Sequence, residues 1–560
     1  MVMARSRATS LVALLRDRAL EQAESRAFVF LRDGESEDAT LTFAALDAHA
    51  RSIAAELQRR GLRAGDRAIL AYPAGLDFIA AFFGCLYAGV IAVPVQPPTG
   101  GKHARGVDRL MAIAADADPA TLLTIRSLQL KADAWLPAHV VRVATDAPVS
   151  LAPDYRAPMI LPEQVALLQY TSGSTSAPRG VMVTHENVIA NLRAAFALSN
   201  APDASMSVSW LPATHDMGLI EGLLQPIFRG HGAALMSPAA FLARPIRWLA
   251  AIARYRAARS GGPNFAYDLC ARRVSSDAAA ALDLSCWRDA YCGAEPVRAE
   301  TLTAFTSAFR RSGFRPDSLR PSYGLAEATL LVAAGRWRED DEADIAYDEI
   351  ANDTRVAIVD PRTRRPCAET QIGEIWVAGP GVAAGYWCQP TLTRETFAAR
   401  TADGAGPFLR TGDLGSRTGG VLRVAGRLKD VLIVRGQKHF PQDLERAAAT
   451  AHAAIRSGAQ AAFALEADGA DGDRVAIVVE VDPRRRGDND ADIVDAIRLA
   501  VGEHCGVQLH GVALAAPGVV PMTPSGKVQR SRARAWWDTG CAGALTVWTT
   551  DRQLSLAVSA

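Results

Sequence analysis

The sequence predicts an α/β protein: a large N-terminal domain of parallel-sheet α/β subdomains with a small β-rich subdomain, then a smaller α+β C-terminal domain. Three observations lead there. Apolar runs of strand length, AILAY at 68–72, VIAVPV at 90–95, VALLQYT at 165–171 and GAALM at 232–236, alternate with Ala- and Leu-rich stretches of helical spacing such as LDAHARSIAAELQRRGL at 46–62. Strands alternating with helices imply a parallel sheet covered on both faces. From about residue 356 the pattern turns to short strands, VAIVDP, GEIWVAG and GVLRVAG, parted by Gly, Pro and Asp turns. After GRLKDVLIVRG, near Gly426, it is mixed: a helix from Pro441 through Ala454, a strand at RVAIVVEV and a helix over 491–504. That unit of about 100 residues is large enough for its own core.

Composition bounds the rest. The 560 residues carry 61 basic and 60 acidic side chains, a formal charge of +1, so nothing electrostatic points to nucleic acid or an acidic membrane surface. With 49% hydrophobic and 22% charged residues the balance is that of a globular chain, which excludes disorder, collagen and coiled coil. The eight cysteines contain no C-x-x-C pair and read as buried or incidental thiols of a reducing compartment. The opening MVMARSRATSLVALLRDRALE has only a short apolar run before Arg16 and Asp17, unlike a signal peptide, and is expected to be a surface helix of a cytoplasmic protein. Phe78 to Val95 is 18 residues without a charge, at the lower edge of a membrane span. Gly84 and Gly89 interrupt it and Pro94 closes it, so a helix followed by a buried strand is expected and no membrane span. The acidic run REDDEAD at 338–344 reads as solvated loop, and the tail after Arg534 carries no legible pattern.

The strongest chemical signal is TSGSTSAPRG at 171–180, between a buried strand and VMVTHENVIANL, where Thr184 can cap a helix. A turn rich in Gly, Ser and Thr lets backbone N–H groups and hydroxyls converge on an anion, and Arg179 adds positive charge beside it. The G-K-[ST] ending of a Walker A loop is absent, and alone the turn is compatible with a plain solvent loop.

Further motifs give it company: YCGAEPVR at 291–298, SYGLAEATL at 322–330, RTGDLG at 410–415, GRLKD at 426–430 and PSGKVQR at 524–530. In that order they resemble the adenylate-forming superfamily of acyl-CoA synthetases, luciferases and nonribosomal adenylation domains. SWLPATHDMGLIEGLLQPIFRG at 209–230, GLAEATL and VRGQKHFPQDLE at 434–445 look most like its fatty acyl-AMP ligases. The resemblance implies ATP-dependent activation of a fatty acid to its adenylate, with transfer to the phosphopantetheine thiol of an acyl carrier protein in a polyketide, peptide or lipid pathway. It also implies a large domain over 1–425, a hinge at 426–430, a mobile small domain over 431–535 and a tail over 536–560.

Residue by residue, the resemblance assigns Thr171, Ser172, Gly173, Ser174, Thr175, Arg179 and Gly180 to the β- and γ-phosphates of ATP. Tyr323 and Gly324, with Gly293, Ala294 and Glu295, fall to the adenine pocket, and Glu327 to Mg²⁺, a hard cation suited to carboxylate and phosphate oxygens. Asp413 falls to the ribose hydroxyls, which need an acceptor-only partner. Arg427 is expected to contact ribose and phosphate, Lys429 to be the hinge, and Lys527 the catalytic lysine that meets the reacting carboxylate and α-phosphate. His215 and Asp216 are either at the junction of acyl pocket and nucleotide site or a helix-capping pair. The acyl channel is expected to draw on 217–228 and on Pro263–Tyr267.

One stretch departs from the family. The insertion that fatty acyl-AMP ligases carry after GLAEATL, thought to disfavour coenzyme A, corresponds here to the short segment Ala333 to Arg355. A fatty acyl-CoA synthetase is therefore the alternative reading. A non-catalytic nucleotide- or lipid-binding relative is the third, opposed by the joint presence of Glu327, Asp413, Arg427 and Lys527.

Overall fold

The computed structural model describes residues 8–98, 105–132, 135–137, 139–146, 155–171, 178–202, 205–338, 345–434, 437–465, 474–487, 489–522, 528–550 and 552–555. Among them the chain forms two large sheets, a four-stranded sheet and a five-stranded sheet, with one short hairpin. In the nine-stranded sheet the run from Arg26–Leu31 through Ala233–Met236, Ser207–Ser209, Arg259–Gly262 and Asp289–Cys292 to Leu319–Gly324 is parallel. Glu37–Thr42 at one edge and Leu331–Ala334 with Glu349–Ile350 at the other are antiparallel. In the seven-stranded sheet Arg67–Leu70, Ile91–Pro94, Thr121–Thr124, Val141–Ala144 and Val165–Thr171 are parallel, and Arg179–Thr184 folds back antiparallel on Val165–Thr171. The expected α/β class is the observed one.

The uncharged stretch resolves as expected into a helix, Asp77–Ala88, and a strand, Ile91–Pro94. Gly89 ends the helix at φ 73°, a left-handed position suited to glycine. No helix among the described residues is long and apolar enough to cross a membrane.

One expectation is sharpened and two are corrected. The N-terminal helix, Leu11–Glu21, lies at the surface with Leu20 83% exposed, but its other face is anchored: Leu11, Leu14 and Leu15 are fully buried, and Arg18 donates from Nε to the Ile227 carbonyl (2.9 Å) and from Nη2 to that of Phe228 (2.7 Å). A short amphipathic pattern looks the same whether its apolar stripe meets a core or not. The helix after Pro441 ends at Ala449, short of Ala454, which is buried in the core just before the next strand begins at Ile455. The stretch after Arg534 is not featureless: the helix Arg530–Asp538 continues through it, and Ala544–Thr549 pairs antiparallel with Gly511–Ala515 in the five-stranded sheet. The acidic run falls, beyond Arg338, outside the described residues.

Candidate active site

Open α/β sheets bind ligands beyond the carboxyl ends of their parallel strands. Here those ends, at Gly262, Cys292 and Gly324, open on a cavity of about 1690 Å³. The strands Leu409–Thr418 and Val421–Arg427 supply another wall, and Val528, Gln529 and Arg530 line it from the C-terminal side.

The firmest part of the wall is a set of three side chains. Tyr323 donates its hydroxyl to Asp413 Oδ2 at 2.9 Å, and Arg427 Nε meets Asp413 Oδ1 at 3.0 Å. Asp413 and Arg427 are cross-strand partners, so the pairing follows from the hairpin register. Burial and the Asp413 charge push the Tyr323 phenol well above its usual range, which keeps it a donor. Asp413 in turn raises the Arg427 guanidinium, half of whose side chain stays exposed.

Glu327 lies in a short 3-10 turn, Ala326–Ala328, directly after the strand that carries Tyr323 and Gly324. It accepts at Oε1 from the Tyr386 hydroxyl at 2.9 Å. Tyr386, on the edge strand Gly385–Tyr386 against Val181 and Met182, also lies under the Arg179 guanidinium, 5.7 Å from its ring centre. Burial and Glu327 raise this phenol too, so it stays protonated. The sequence reading missed Tyr386; only the pairing of 385–386 with 181–182 brings it there.

Thr171 and Arg179 are cross-strand partners closing the Gly/Ser/Thr turn. Ser172, Gly173, Ser174 and Thr175 lie outside the described residues. Gly180 is required sterically, since a Cβ there would stand 2.9 Å from the Tyr170 ring. Downstream, Thr184 caps the helix His185–Leu198 in a reciprocal box with Asn187.

Gly293, Ala294 and Glu295 line the cavity where the strand Asp289–Cys292 ends, with Ala294 at φ 64°. Glu295 Oε1 accepts from the Phe265 backbone N–H at 2.6 Å, so this carboxylate also ties two strand ends together. His215 caps the helical turn Asp216–Leu219: both His215 Nδ1 (3.3 Å) and Asp216 Oδ1 (2.7 Å) accept from the Met217 N–H. The capping alternative is the geometry observed, although both side chains also face the cavity.

Of the expected acyl-channel residues, Met217, Glu221, Asn264 and Phe265 line the cavity. Tyr267 does not: it is fully buried in the core, donating to the Tyr291 carbonyl. Lys429 lies in the 3-10 turn Leu428–Asp430 at the cavity edge, its ammonium lowered by burial and then by Arg427. Lys527 lies outside the described residues. The following Arg530 makes a two-point pair with Glu445 (2.7 Å each) and reaches Asp430 at 3.2 Å.

A buried acceptor-only carboxylate, hydrogen-bonded to a buried tyrosine at the strand ends and paired with an arginine, suits the sugar and phosphate of a nucleotide. The description "AMP-binding enzyme" matches residues 15–387, and the chain belongs to that family. It is 42% identical over 562 residues, 94% of each chain, to the medium-chain-fatty-acid–[acyl-carrier-protein] ligase JamA of Moorena producens. It is 36% identical, over 93% of this chain and 97% of the relative, to the putative fatty-acid–CoA ligase fadD21 of Mycobacterium leprae. Among solved structures, the fatty acyl-adenylate ligase of L. pneumophila in complex with acyl adenylate and pyrophosphate is 36% identical with a TM-score of 0.72, covering 98% of this chain and 99% of that one.

Proposed function

We propose that the protein activates a fatty acid with ATP and passes the acyl group to the phosphopantetheine thiol of an acyl carrier protein. A carboxylate oxygen of the acid attacks the α-phosphorus, the bond to the bridging oxygen of the β-phosphate breaks, and pyrophosphate leaves. The thiolate then attacks the acyl carbon and AMP departs. The observation that carries this reading is the Tyr323–Asp413–Arg427 group: a carboxylate that only accepts, held beside a cationic donor at the strand ends, fits a ribose and its phosphate.

Each step is mostly positioning and charge neutralisation. Asp413 accepts from the ribose hydroxyls, and Tyr323 with Gly324 and the 293–295 turn bounds the base. The 171–175 turn, Arg179 and Gly180 take the β- and γ-phosphates. Arg427 and Lys527 neutralise charge at the α-phosphate, and His215 with Asp216 flanks the carboxylate. Among the described residues no group of three or more His, Cys, Asp or Glu could hold a metal by itself. Glu327, one carboxylate beside the phosphate turn, suits Mg²⁺, which binds through one or two carboxylates plus substrate phosphates. When bound, that ion supplies charge neutralisation of the phosphates.

The hinge reading, with the large domain over 1–425 and the small domain from 431 on, is supported by the distribution of the core; the small domain runs past the expected end at 535, because Ala544–Thr549 pairs in its five-stranded sheet. Among the described residues no hydrophobic cluster crosses 425–431: four lie wholly before it and two wholly after. Rotation at Lys429 would exchange the Lys527 face for one that admits the thiol.

Coenzyme A as acceptor is the second reading, favoured by the short 333–355 segment and the name of the mycobacterial relative. Purified protein offered ATP, Mg²⁺, fatty acids, coenzyme A and a phosphopantetheinylated carrier protein in parallel distinguishes the two by mass spectrometry. Acylated carrier protein without acyl-CoA is expected. Acyl-CoA as the main product overturns the choice of acceptor, and neither product overturns the ligase reading.

A further inference from the structure

A second arginine stands at the phosphate end of the cavity, and no motif marks it. The helix Arg105–Ala117 joins Ile91–Pro94 to Thr121–Thr124, two strands of one sheet that run the same way. It therefore runs back against them, and its first turns stand at their carboxyl ends. Val107, Leu110, Ala114 and Ala117 bury one side of the helix against Leu168 and Tyr170. Tyr170, next to last in Val165–Thr171, donates its hydroxyl to Asp116 Oδ2 at 2.5 Å. Arg109 is seven residues before Asp116 on the same helix face, about 10 Å further out, which carries it past the strand ends.

The sheet brings two more donors to the same rim. Ala92 pairs with Leu167 in parallel register, so Gln96, four residues on, stands level with Thr171, the cross-strand partner of Arg179. Gln96, Arg109 and Arg179 all line the cavity. Other arginines of its wall are taken by acids: Arg259 pairs with Glu221, Arg320 with Glu349, Arg427 with Asp413 and Arg530 with Glu445. The side chains of Gln96 and Arg109 are accessible, and neither makes a hydrogen bond or ion pair among the described residues. Partial burial lowers the Arg109 guanidinium, and no carboxylate counters it.

Two guanidiniums and an amide at one rim, with no acid assigned to Arg109, offer N–H donors and positive charge to an anion that the chain itself does not supply. Arginine forks suit phosphate oxygens in particular. We propose that Arg109 and Gln96 complete a phosphate subsite with Arg179 at the rim of the seven-stranded sheet. Its ligand is a phosphate group, either the terminal phosphates of ATP, which leave as pyrophosphate, or the phosphate at the root of the phosphopantetheine arm. The terminal phosphates are the expected occupant, because Arg179 lies on the ring of Tyr386, whose hydroxyl holds Glu327. This rests on the activation reading above and adds two residues to its phosphate site.

Arg109→Met, Arg109→Lys and Gln96→Leu test it, with ATP–pyrophosphate exchange and transfer from preformed acyl adenylate to a phosphopantetheinylated carrier protein measured side by side. None of the three changes removes an internal hydrogen bond or ion pair, so thermal melting is expected to stay as in the unaltered protein. In Arg109→Met the KM for pyrophosphate is expected to rise about tenfold, while inhibition by AMP, which has no terminal phosphates, stays the same. Lysine should recover part of the loss, since it keeps the charge and loses the fork. Gln96→Leu should move the same constant by less. A raised KM for the carrier protein, with that for pyrophosphate unmoved, also supports the subsite and assigns it to the acceptor's phosphate. Arg109→Met with both constants unmoved overturns the proposal, as does a variant that weakens AMP and pyrophosphate equally. Unaltered protein that exchanges pyrophosphate with no fatty acid at all overturns the activation reading, and the subsite with it, before any variant is compared.

Discussion

The walls of the cavity on either side of residues 425–431 are built differently. Before that segment the site residues sit at the ends of buried strands: Tyr323 and Asp413 are 8% and 6% exposed and hydrogen-bonded to each other. After it, the small unit owns two hydrophobic clusters and touches the cavity through polar side chains such as Gln442, whose Nε2 donates to the Ala425 carbonyl at 2.9 Å. Packed interiors hold a side chain to one position, whereas polar contacts over a solvated boundary exchange for water at little net cost. The same cavity therefore has one wall set in a packed core and another joined to it by polar contacts, the difference that the proposed hinge requires.

That contrast can be broken most directly at Lys527, the proposed catalytic lysine of the small unit. Lys527→Ala is expected to lower adenylation by about 10²–10³ or more, as removal of a key charge stabiliser does. Near-normal pyrophosphate release by that variant would remove the lysine from the chemistry. On the fixed wall, Asp413→Ala takes the acceptor from Tyr323 and leaves Arg427 without its carboxylate. A buried charge-assisted contact is worth about 1.5–3 kcal/mol, so the apparent KM for ATP should rise by about ten- to a hundredfold. An unchanged KM would mean that the nucleotide is held elsewhere.

Lys429→Pro sharpens the comparison by separating the half-reactions. Pyrophosphate exchange should stay largely intact while acyl transfer slows by at least about tenfold, the equivalent of 1.4 kcal/mol. Equal loss in both would contradict a hinge. The smallest effect is expected at Tyr386→Phe, which removes only the hydroxyl donated to Glu327. At about 1 kcal/mol for one hydrogen bond, the Mg²⁺ concentration for half-maximal exchange should rise by about fivefold. A titration of Mn²⁺ into the ATP complex, followed by paramagnetic resonance, reads the same weakening without turnover.

Much of this was legible along the chain and some of it was not, for identifiable reasons. The strand Val165–Thr171, the cap at Thr184 and the helix–strand reading of 78–95 depend on local patterns, and the structure has them. Asp413 and Arg427 were singled out separately by motif, but their pairing is a matter of register. His215 illustrates the opposite case: a motif residue whose observed hydrogen bond is a helix cap.

What the sequence determined by itself is whatever rests on neighbours: strand and helix periods, turn chemistry, and the order of motifs that marks the family. The tertiary structure alone decided which distant segments meet. It set Tyr386 against Glu327 across 59 residues and Arg530 against Asp430 across 100, and turned Glu221 onto Arg259. Such contacts form where sheet register and helix packing bring chain segments together, and no local pattern encodes that distance. Glu221 reads as one acid in an apolar helix until the strand beneath it supplies an arginine.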